Sequence, residues 1–319
     1  MTITRRHFTG ALLGTTAASI LPAQAQQGAF INILTGGTSG VYYPMGVALS
    51  KIYSQSIAGS RPSVQATKAS VENLVLLQSG KGEIAFTLGD SLAFAWAGDE
   101  EAGFKGKLDR LRGLCAIYPN FIQIVASKES GIKTLADLKG KRLSVGAPKS
   151  GTELNARAIL SGAGMTYKDL GKVEYLPFAE SVDLIKNRQL DATLQSAGLG
   201  VAAIRDLAAS LEINVVEVPG SLVDKIGAPY VKAVIPANTY TGQTQDVQAA
   251  AVVNYLVTRS NLSDEIAYQM VKGVFEQRDE LIASHQAARD IKIENALQGM
   301  PVPLHPGAEK YFREKGIKK

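Results

Sequence analysis

The sequence predicts an α/β fold of two lobes. Short apolar strand candidates alternate with helical patterns, which favours largely parallel sheets. The chain has 319 residues, of which 45% are hydrophobic and 31 are glycine, so it is long enough to bury a large core and to divide into two lobes. A strand, a small-residue turn and a helix start follow one another twice, once in each predicted lobe.

The first 25 residues resemble a bacterial export signal and do not contribute to the predicted fold. Thr4-Arg5-Arg6-His7-Phe8 resembles the twin-arginine motif, residues 10–21 are apolar, and Ala23-Gln24-Ala25 fits a signal peptidase site. A Sec signal and a native N-terminal helix are the alternatives. No later apolar run reaches the roughly 20 residues of a membrane span. We therefore predict a mature periplasmic protein that is soluble after cleavage.

Composition argues against several classes of function. The formal net charge is +5, but the basic residues are scattered and no nucleic-acid-binding motif accompanies them. Cys115 is the only cysteine, which rules out an intramolecular disulfide. Beyond the export signal, the histidines are His285 and His305, and neither has a partner at metal-ligand spacing. We expect no nucleic-acid partner, no metal and no cofactor.

The first predicted lobe begins with a strand at residues 30–35, which leads into the turn Gly36-Gly37-Thr38-Ser39-Gly40-Val41-Tyr42-Tyr43. Pro44 suits a first helical turn, and glycines let the backbone approach a ligand. The turn lacks the Gly-Lys-Ser/Thr ending of a P-loop and the Gly-x-Gly-x-x-Gly spacing of a dinucleotide site, which disfavours a phosphate-handling enzyme. The elements that follow are a helix from Pro44 to Ile57, an extended piece at 63–66, a helix at 71–78, a strand at 83–88 and a helix at 91–96 after Asp90.

The second predicted lobe follows a strand at 121–126, with the first chain crossing near Ser127. A strand at 143–146 ends in Ala147-Pro148-Lys149-Ser150-Gly151-Thr152, where Thr152 can cap a helix that runs to Leu160. In open α/β sheets, ligands lie beyond the carboxyl ends of the strands, which is where both turns fall. Amides and hydroxyls from two opposed helix starts suit a carboxylate ligand. Each turn can also be a capped helix start without a ligand.

The chain resembles the TAXI-type solute receptors of TRAP transporters. The matching stretches span nearly the whole mature chain, in the order 35–44, 70–73, 80–90, 116–119, 137–146, 150–152, 191–192, 197–198 and 303–308. The resemblance implies a two-lobe periplasmic binding protein fold (type II-like), with a ligand cleft between the lobes and two chain crossings. Lobe 1 would be 26–127 and 249–319, and lobe 2 would be 128–248. The resemblance also implies that residues 252–257 form the returning strand beside 121–126.

On this resemblance the protein is not an enzyme. It would bind a small carboxylate, an acidic amino acid or a 2-oxo or dicarboxylic acid, and deliver it to a fused multi-helix TRAP permease. A monomer is expected. The candidate ligand residues in the first lobe are Gly37, Thr38, Ser39, Tyr42, Tyr43, Asp90 and Tyr118. Those in the second lobe are Ser150, Gly151, Thr152, Phe178, Gln195 and Ser196.

Several of these assignments have alternatives. One of Tyr42 and Tyr43 is expected to point inward, and either can be a core aromatic. Asp90 can cap the helix at 91–96 or receive a ligand ammonium group. Lys149 stands where the family has a small residue, so it is either solvated or a cation in the cleft. The alternative functions are an ABC or tricarboxylate-type binding protein and an exported α/β enzyme that acts on a carboxylated metabolite.

Overall fold

A computed structural model describes residues 29–318 of the chain. The predicted export signal at 1–25 lies outside these residues. The strands are β1 (Phe30–Leu34), β2 (Arg61–Gln65), β3 (Ile84–Leu88), β4 (Leu111–Ser127), β5 (Arg142–Ser144), β6 (Lys172–Glu174), β7 (Ala192–Ala197), β8 (Ile213–Val216), β9 (Val231–Ile235) and β10 (Val247–Arg259).

The α-helices lie between these strands and at the C-terminal end. They are α1 (Tyr42–Ser56), α2 (Ser70–Gln78), α3 (Gly89–Ala97), α4 (Gly151–Gly162), α5 (Phe178–Lys186), α6 (Ala202–Ser210), α7 (Gly220–Ile226), α8 (Asp264–Glu276), α9 (Arg278–Ser284) and α10 (Pro306–Glu314). Short 3₁₀ helices cover Lys128–Ser130, Leu135–Leu138, Tyr167–Asp169, Gln286–Asp290 and Ile293–Asn295. Within 29–318, no helix has both the length and the apolarity to cross a membrane.

The strands lie in the order β2-β1-β3-β10-β4-β7-β5-β6, with β8 beside β4 and β9 beside β10. The outer groups β2-β1-β3 and β7-β5-β6 are parallel, as predicted. The sheet as a whole is mixed rather than largely parallel, because at its centre β10 is antiparallel to β3 and β4, and β4 is antiparallel to β7. The reason is topological: β4 and β10 carry the chain in opposite directions between the two outer groups.

The two long central strands each change partners along their length. β4 pairs with β10 from Leu111 and with β7 and β8 near its end, while β10 pairs with β9 at its start and with β3 near its end. We call β1–β3 with α1–α3 and α8–α10 the first lobe, and β5–β9 with α4–α7 the second lobe. The residue boundaries at 127/128 and 248/249 stay predictions.

The register of the returning strand differs from the prediction. Val252 pairs with Asn120 and Val257 with Gly113, whereas only the preceding Ala250 and Ala251 lie opposite 121–122. The predicted neighbours are therefore the correct strands in the wrong register. The physical reason is that β4 runs for 17 residues and β10 for 13, so their contact extends well before the predicted strand at 121–126.

The apolar side chains form two clusters, of which the larger fills the first lobe and extends to α5 and α6, and the smaller lies within the second lobe and the adjoining central strands. In the first lobe, Ile33 and Phe86 of the sheet are fully buried against helices that include Leu49 of α1. In the second, Leu143 of β5 packs with Ile159 of α4 in a separate apolar cluster. Both β3 and β7 are buried along their whole length, because helices or crossing strands cover both faces. The ends of β3, β5 and β7 lie where the two lobes meet.

Candidate functional site

A cavity lies between the two lobes at the ends of these strands. The centre of a water molecule can move through about 120 Å³ of this cavity. In the same measure, a site for one water needs roughly 10–15 Å³. The space therefore suits a small ligand. The lining residues come from both lobes: Gly36, Gly37, Gly40, Val41, Tyr42, Thr67, Lys68, Ala69, Ser70, Leu88, Tyr118, Asn120, Ala147, Ser150, Gly151, Thr152, Pro177, Phe178, Ser196 and Ala197.

The structure brings most of the predicted site residues to this cavity. Those that line it are Gly37, Tyr42, Tyr118, Ser150, Gly151, Thr152, Phe178 and Ser196. Of the two tyrosines in the first turn, Tyr42 is the one that lines the cavity. Contact of any of these residues with a ligand stays a prediction.

Five predicted residues do not line the cavity: Thr38, Ser39, Tyr43, Asp90 and Gln195. Thr38 is exposed, and Ser39 and Tyr43 are half-buried at the surface of the turn. Gln195 is fully buried, but successive strand residues face opposite sides of a sheet, so it points away from the side of its neighbour Ser196. These residues were predicted because they lie close in the sequence to residues that do line the cavity.

The first turn positions Tyr42 beneath the cavity. The Gly40 amide donates to the Gly37 carbonyl at 3.0 Å, and α1 begins at Tyr42, two residues before the predicted start at Pro44. The Tyr42 ring stacks on Phe86 with centroids 4.9 Å apart, and its hydroxyl donates to Asn254 Oδ1 at 2.5 Å. Burial raises the pKa of Tyr42, so the hydroxyl remains a proton donor.

Helix α4 points its N-terminus at the same cavity. Its cap is Ser150 rather than the predicted Thr152, since Ser150 Oγ accepts from the Glu153 amide at 3.2 Å. Because this oxygen already accepts, its own hydrogen is available to a ligand. The α4 amides and the helix dipole favour an anion here. Thr152 is one residue further on and lines the cavity beside it.

At Gly151 the backbone of α4 lies close to side chains of the first lobe. A Cβ atom at this position would lie 2.6 Å from Leu88 Cδ1, 2.7 Å from Ser70 Oγ and 2.8 Å from Ser91 Oγ, all in the first lobe. Only glycine allows the α4 backbone to approach so near. By contrast, a Cβ at Gly37 would meet nothing within 4 Å.

Asp90 lies outside the cavity, in a fully buried contact between the lobes. Its Oδ2 accepts from Asn155 Nδ2 at 2.5 Å and from the Tyr230 hydroxyl at 2.8 Å, and its Oδ1 accepts from the Ser91 amide at 2.6 Å. Burial raises the pKa of Asp90, and these hydrogen bonds oppose that rise. Neither sequence-based alternative for Asp90 fits this geometry. Helix α3 already begins at Gly89, and the Asp90 carboxylate accepts hydrogen bonds from the second lobe.

Ser196 links this contact to the cavity. Its hydroxyl donates to Asn155 Oδ1 at 2.6 Å, and Asn155 Nδ2 in turn donates to Asp90. We call Asp90, Asn155, Ser196 and Tyr230 the Asp90 cluster. A second chain of polar contacts, the Asn120 cluster, consists of Tyr42, Tyr118, Asn120 and Asn254 and borders the cavity from the crossing strands.

The charge of the lining favours an anionic ligand. Among the lining residues of the described chain, the only ionised side chain at neutral pH is that of Lys68, and no carboxylate, histidine or cysteine is present. Lys149 is exposed and does not line the cavity, so the solvated alternative applies. The lining offers hydroxyls and amides at several positions and apolar faces at Leu88 and Phe178.

Sequence reasoning missed several lining residues, above all Lys68, Ser70 and Asn120. Ser70 begins α2, and its Oγ accepts from the Leu88 amide at 3.1 Å, so a helix-start pattern could have indicated it. Asn120 lies two residues after the predicted Tyr118 and thus on the same strand face. Lys68 is an exposed loop residue without any local pattern.

Comparisons with known proteins agree with this architecture. A family model described as the NMT1-like family matches residues 33–316. A solved structure from Bordetella bronchiseptica RB50 has a TM-score of 0.55 at 17% identity, over 91% of this chain and 82% of that chain. The alkanesulfonate-binding protein SsuA from Xanthomonas axonopodis pv. citri, bound to MOPS, has a TM-score of 0.51 at 16% identity, over 91% and 85%.

A third similar structure is the binding protein component of an ABC phosphonate transporter from Pseudomonas aeruginosa. Its TM-score is 0.52 at 14% identity, over 83% of this chain and 80% of that chain. At these identities the likeness concerns the fold, and it confirms the predicted fold class of periplasmic binding proteins.

Proposed function

The chain belongs to the NMT1-like family, and from this premise we propose that it is a periplasmic receptor for a small organic anion, which it delivers to a membrane transporter. The observation that carries the proposal is the cavity between the lobes, where the capped N-terminus of α4 meets hydroxyl and amide donors. Such donors can hold an oxyanion, and Lys68 adds a positive charge to the lining.

The lining also favours a particular class of acid. The acceptor for a ligand ammonium group is usually a carboxylate, and the cavity lining described above contains no carboxylate. The buried carboxylate of Asp90 already accepts from Asn155, Tyr230 and the Ser91 amide. We therefore propose 2-oxo or dicarboxylic acids as ligands, in preference to acidic amino acids.

For the transporter, we propose the ABC type. Two proteins of similar fold are named for the oxyanions that they bind, an alkanesulfonate and a phosphonate. The phosphonate-binding protein is a component of an ABC transporter. The TRAP-type receptor is the second candidate, supported by the order of motifs from residues 35–44 to 303–308. Uptake that depends on ATP would support the ABC type, and uptake that depends on an ion gradient would support the TRAP type.

Binding without chemical conversion is part of the proposal. A serine or threonine nucleophile is activated by a neighbouring general base, most often a histidine or a carboxylate, and a cysteine is the nucleophile that needs such help least. The described lining lacks all three, and Cys115 is buried where its thiol pKa is raised. Closure of the lobes about β4 and β10 would instead trap the ligand, with a free-energy gain set by contacts from both lobes.

Calorimetric titration tests the proposal. Refolded, ligand-free protein would be titrated with 2-oxoglutarate, glutarate, succinate, pyruvate and L-glutamate. We expect saturable one-to-one binding of at least one acid without an ammonium group. Silence for every acid, from protein shown to be folded by circular dichroism, would contradict the proposed ligand class.

A further inference from the structure

Two buried hydrogen-bond donors of residues that line the cavity have no partner within residues 29–318. Among the described residues, the buried side chains with an unpaired polar atom are Tyr53, Tyr118, Asn120, Thr193 and Gln195. Only Tyr118 and Asn120 also line the cavity. Each is 1% exposed, and they stand two residues apart on β4, so they share one face of that strand.

The orientation of the Asn120 amide follows from its neighbours. The Tyr118 backbone carbonyl can only accept, so the Asn254 atom that lies 3.1 Å from it is Nδ2. Asn254 Oδ1 is then free to accept from Tyr42, and Nδ2 also donates to Asn120 Oδ1 at 3.3 Å. The Asn120 amide nitrogen is therefore the atom that has no partner.

Unpaired buried donors are costly, and natural proteins pair nearly all of them. The Tyr118 hydroxyl is a proton donor at neutral pH, and the Asn120 nitrogen can only donate. Acceptor oxygens of a ligand in the cavity would supply the partners that the two donors lack.

We propose that Tyr118 and Asn120 form an acceptor-binding subsite for the ligand, with Asn254 as the positioning residue that presents the Asn120 nitrogen. This inference rests on the proposed function. The subsite takes a carbonyl, carboxylate or other oxyanion oxygen. It lies on the crossing strands, whereas the α4 N-terminus lies in the second lobe, so the ligand carries acceptor oxygens at two positions. A 2-oxo acid or a dicarboxylic acid meets this requirement.

Two tyrosine variants test the subsite, and the one outside the cavity is the control. Tyr118→Phe and Tyr53→Phe each remove one buried, unpaired hydroxyl, but Tyr53 does not line the cavity. The probe is the acid that wild type binds most tightly among 2-oxoglutarate, glutarate, succinate and pyruvate. We expect Tyr118→Phe to lose roughly tenfold in affinity, and Tyr53→Phe to bind like wild type. Neither variant should lower the melting temperature of the ligand-free protein.

Asn120→Asp tests the second donor. The substitution keeps the oxygen that accepts from Asn254 and replaces the unpaired donor by an acceptor of nearly the same shape. We expect at least a roughly hundredfold loss of affinity, because a charge-assisted donor becomes a repulsive carboxylate.

The outcomes separate the subsite from the proposed function. If wild type binds a probe and both Tyr118→Phe and Asn120→Asp bind it equally well, the subsite is wrong and the receptor proposal stands. If Tyr53→Phe loses as much affinity as Tyr118→Phe, the loss is structural and the subsite is again wrong. If wild type binds none of the probes, the proposed ligand class fails and the subsite fails with it.

Discussion

The Asp90 cluster and the Asn120 cluster are both buried and polar, yet they differ in one respect. In the Asp90 cluster, the side chains of both lobes pair with each other, and none of its four residues retains a buried unpaired polar atom. In the Asn120 cluster, two donors remain unpaired beside the cavity. Buried polar groups therefore have two roles here. The paired groups of the Asp90 cluster join the lobes, and the unpaired donors of the Asn120 cluster are available to a ligand.

Asp90→Ala is expected to have the largest effect on the paired cluster. The substitution removes the acceptor of the Tyr230 hydroxyl and the nearer of the two acceptors of Asn155 Nδ2, all of them buried. We expect the free energy of unfolding to fall by about 3 kcal/mol, measured by urea unfolding. Asp206→Ala, at an exposed ion pair with Lys186, is the control and should change it by less than about 1 kcal/mol. Equal effects of the two variants would contradict a structural role for the Asp90 cluster.

The double variant Ser150→Ala/Thr152→Ala addresses the second-lobe side of the cavity. It removes two hydroxyls and the α4 cap. We expect roughly thirtyfold weaker binding of the acid in calorimetry, from about 2 kcal/mol of lost hydrogen bonds. Thr166→Ala removes a cap elsewhere in the same lobe and should leave the affinity unchanged. Full affinity in the double variant would show that the α4 end does not hold the ligand.

A pair of glycine variants measures how closely the lobes must approach. In Gly151→Ala the new methyl group would lie within 3.0 Å of three first-lobe atoms, so α4 has to move away. We expect roughly tenfold weaker binding, since closure makes the contacts from both lobes. Gly37→Ala also adds a methyl group at the cavity but meets no atom within 4 Å, so it should bind nearly as wild type. The same affinity in both variants would contradict closure at Gly151.

The pH dependence of stability gives the smallest and most specific test. Because burial raises the pKa of Asp90, the folded chain holds a proton there more tightly than the unfolded chain. This contribution to stability is fully present below the ordinary value of 3.8 and is lost as the pH rises through the folded pKa. The titratable neighbours Tyr42 and Tyr230 stay neutral, since their pKa values are raised too.

Asp90→Asn isolates this contribution. The carboxyls whose pKa values are lowered, such as that of Asp191, are the same in both proteins and cancel in the difference. We expect the unfolding free energy of wild type minus that of Asp90→Asn to decrease as the pH rises above the ordinary value of 3.8. A difference that increases over this range would contradict the raised pKa.

The features of the fold that the sequence predicted are those that depend on local patterns. The alternation of strands and helices and the Gly36–Val41 and Ser150–Thr152 turns all appear within short windows, so the α1 and α4 starts were placed within two residues. The antiparallel pairing of β4 and β10 was missed because it depends on where the chain crosses between lobes, which no short window reports.

The site was predicted only in part, for a similar reason. Asp90 was predicted to cap its own helix or to receive a ligand ammonium group, but its partners Asn155 and Tyr230 lie 65 and 140 residues further along the chain. The amide of Asn120 is oriented by Asn254, which is 134 residues away. Contacts of this range come from the fold, and one sequence contains no local pattern for them.

The most direct test of the account is a calorimetric comparison of 2-oxoglutarate with L-glutamate on wild-type protein. The two acids share both carboxylates and differ at one carbon, where an oxo group replaces the ammonium group. A cavity lined by donors, with no carboxylate among its described residues, predicts that 2-oxoglutarate binds at least tenfold more tightly, on the order of 1.4 kcal/mol. Binding of L-glutamate as tight as that of 2-oxoglutarate, or tighter, would contradict it.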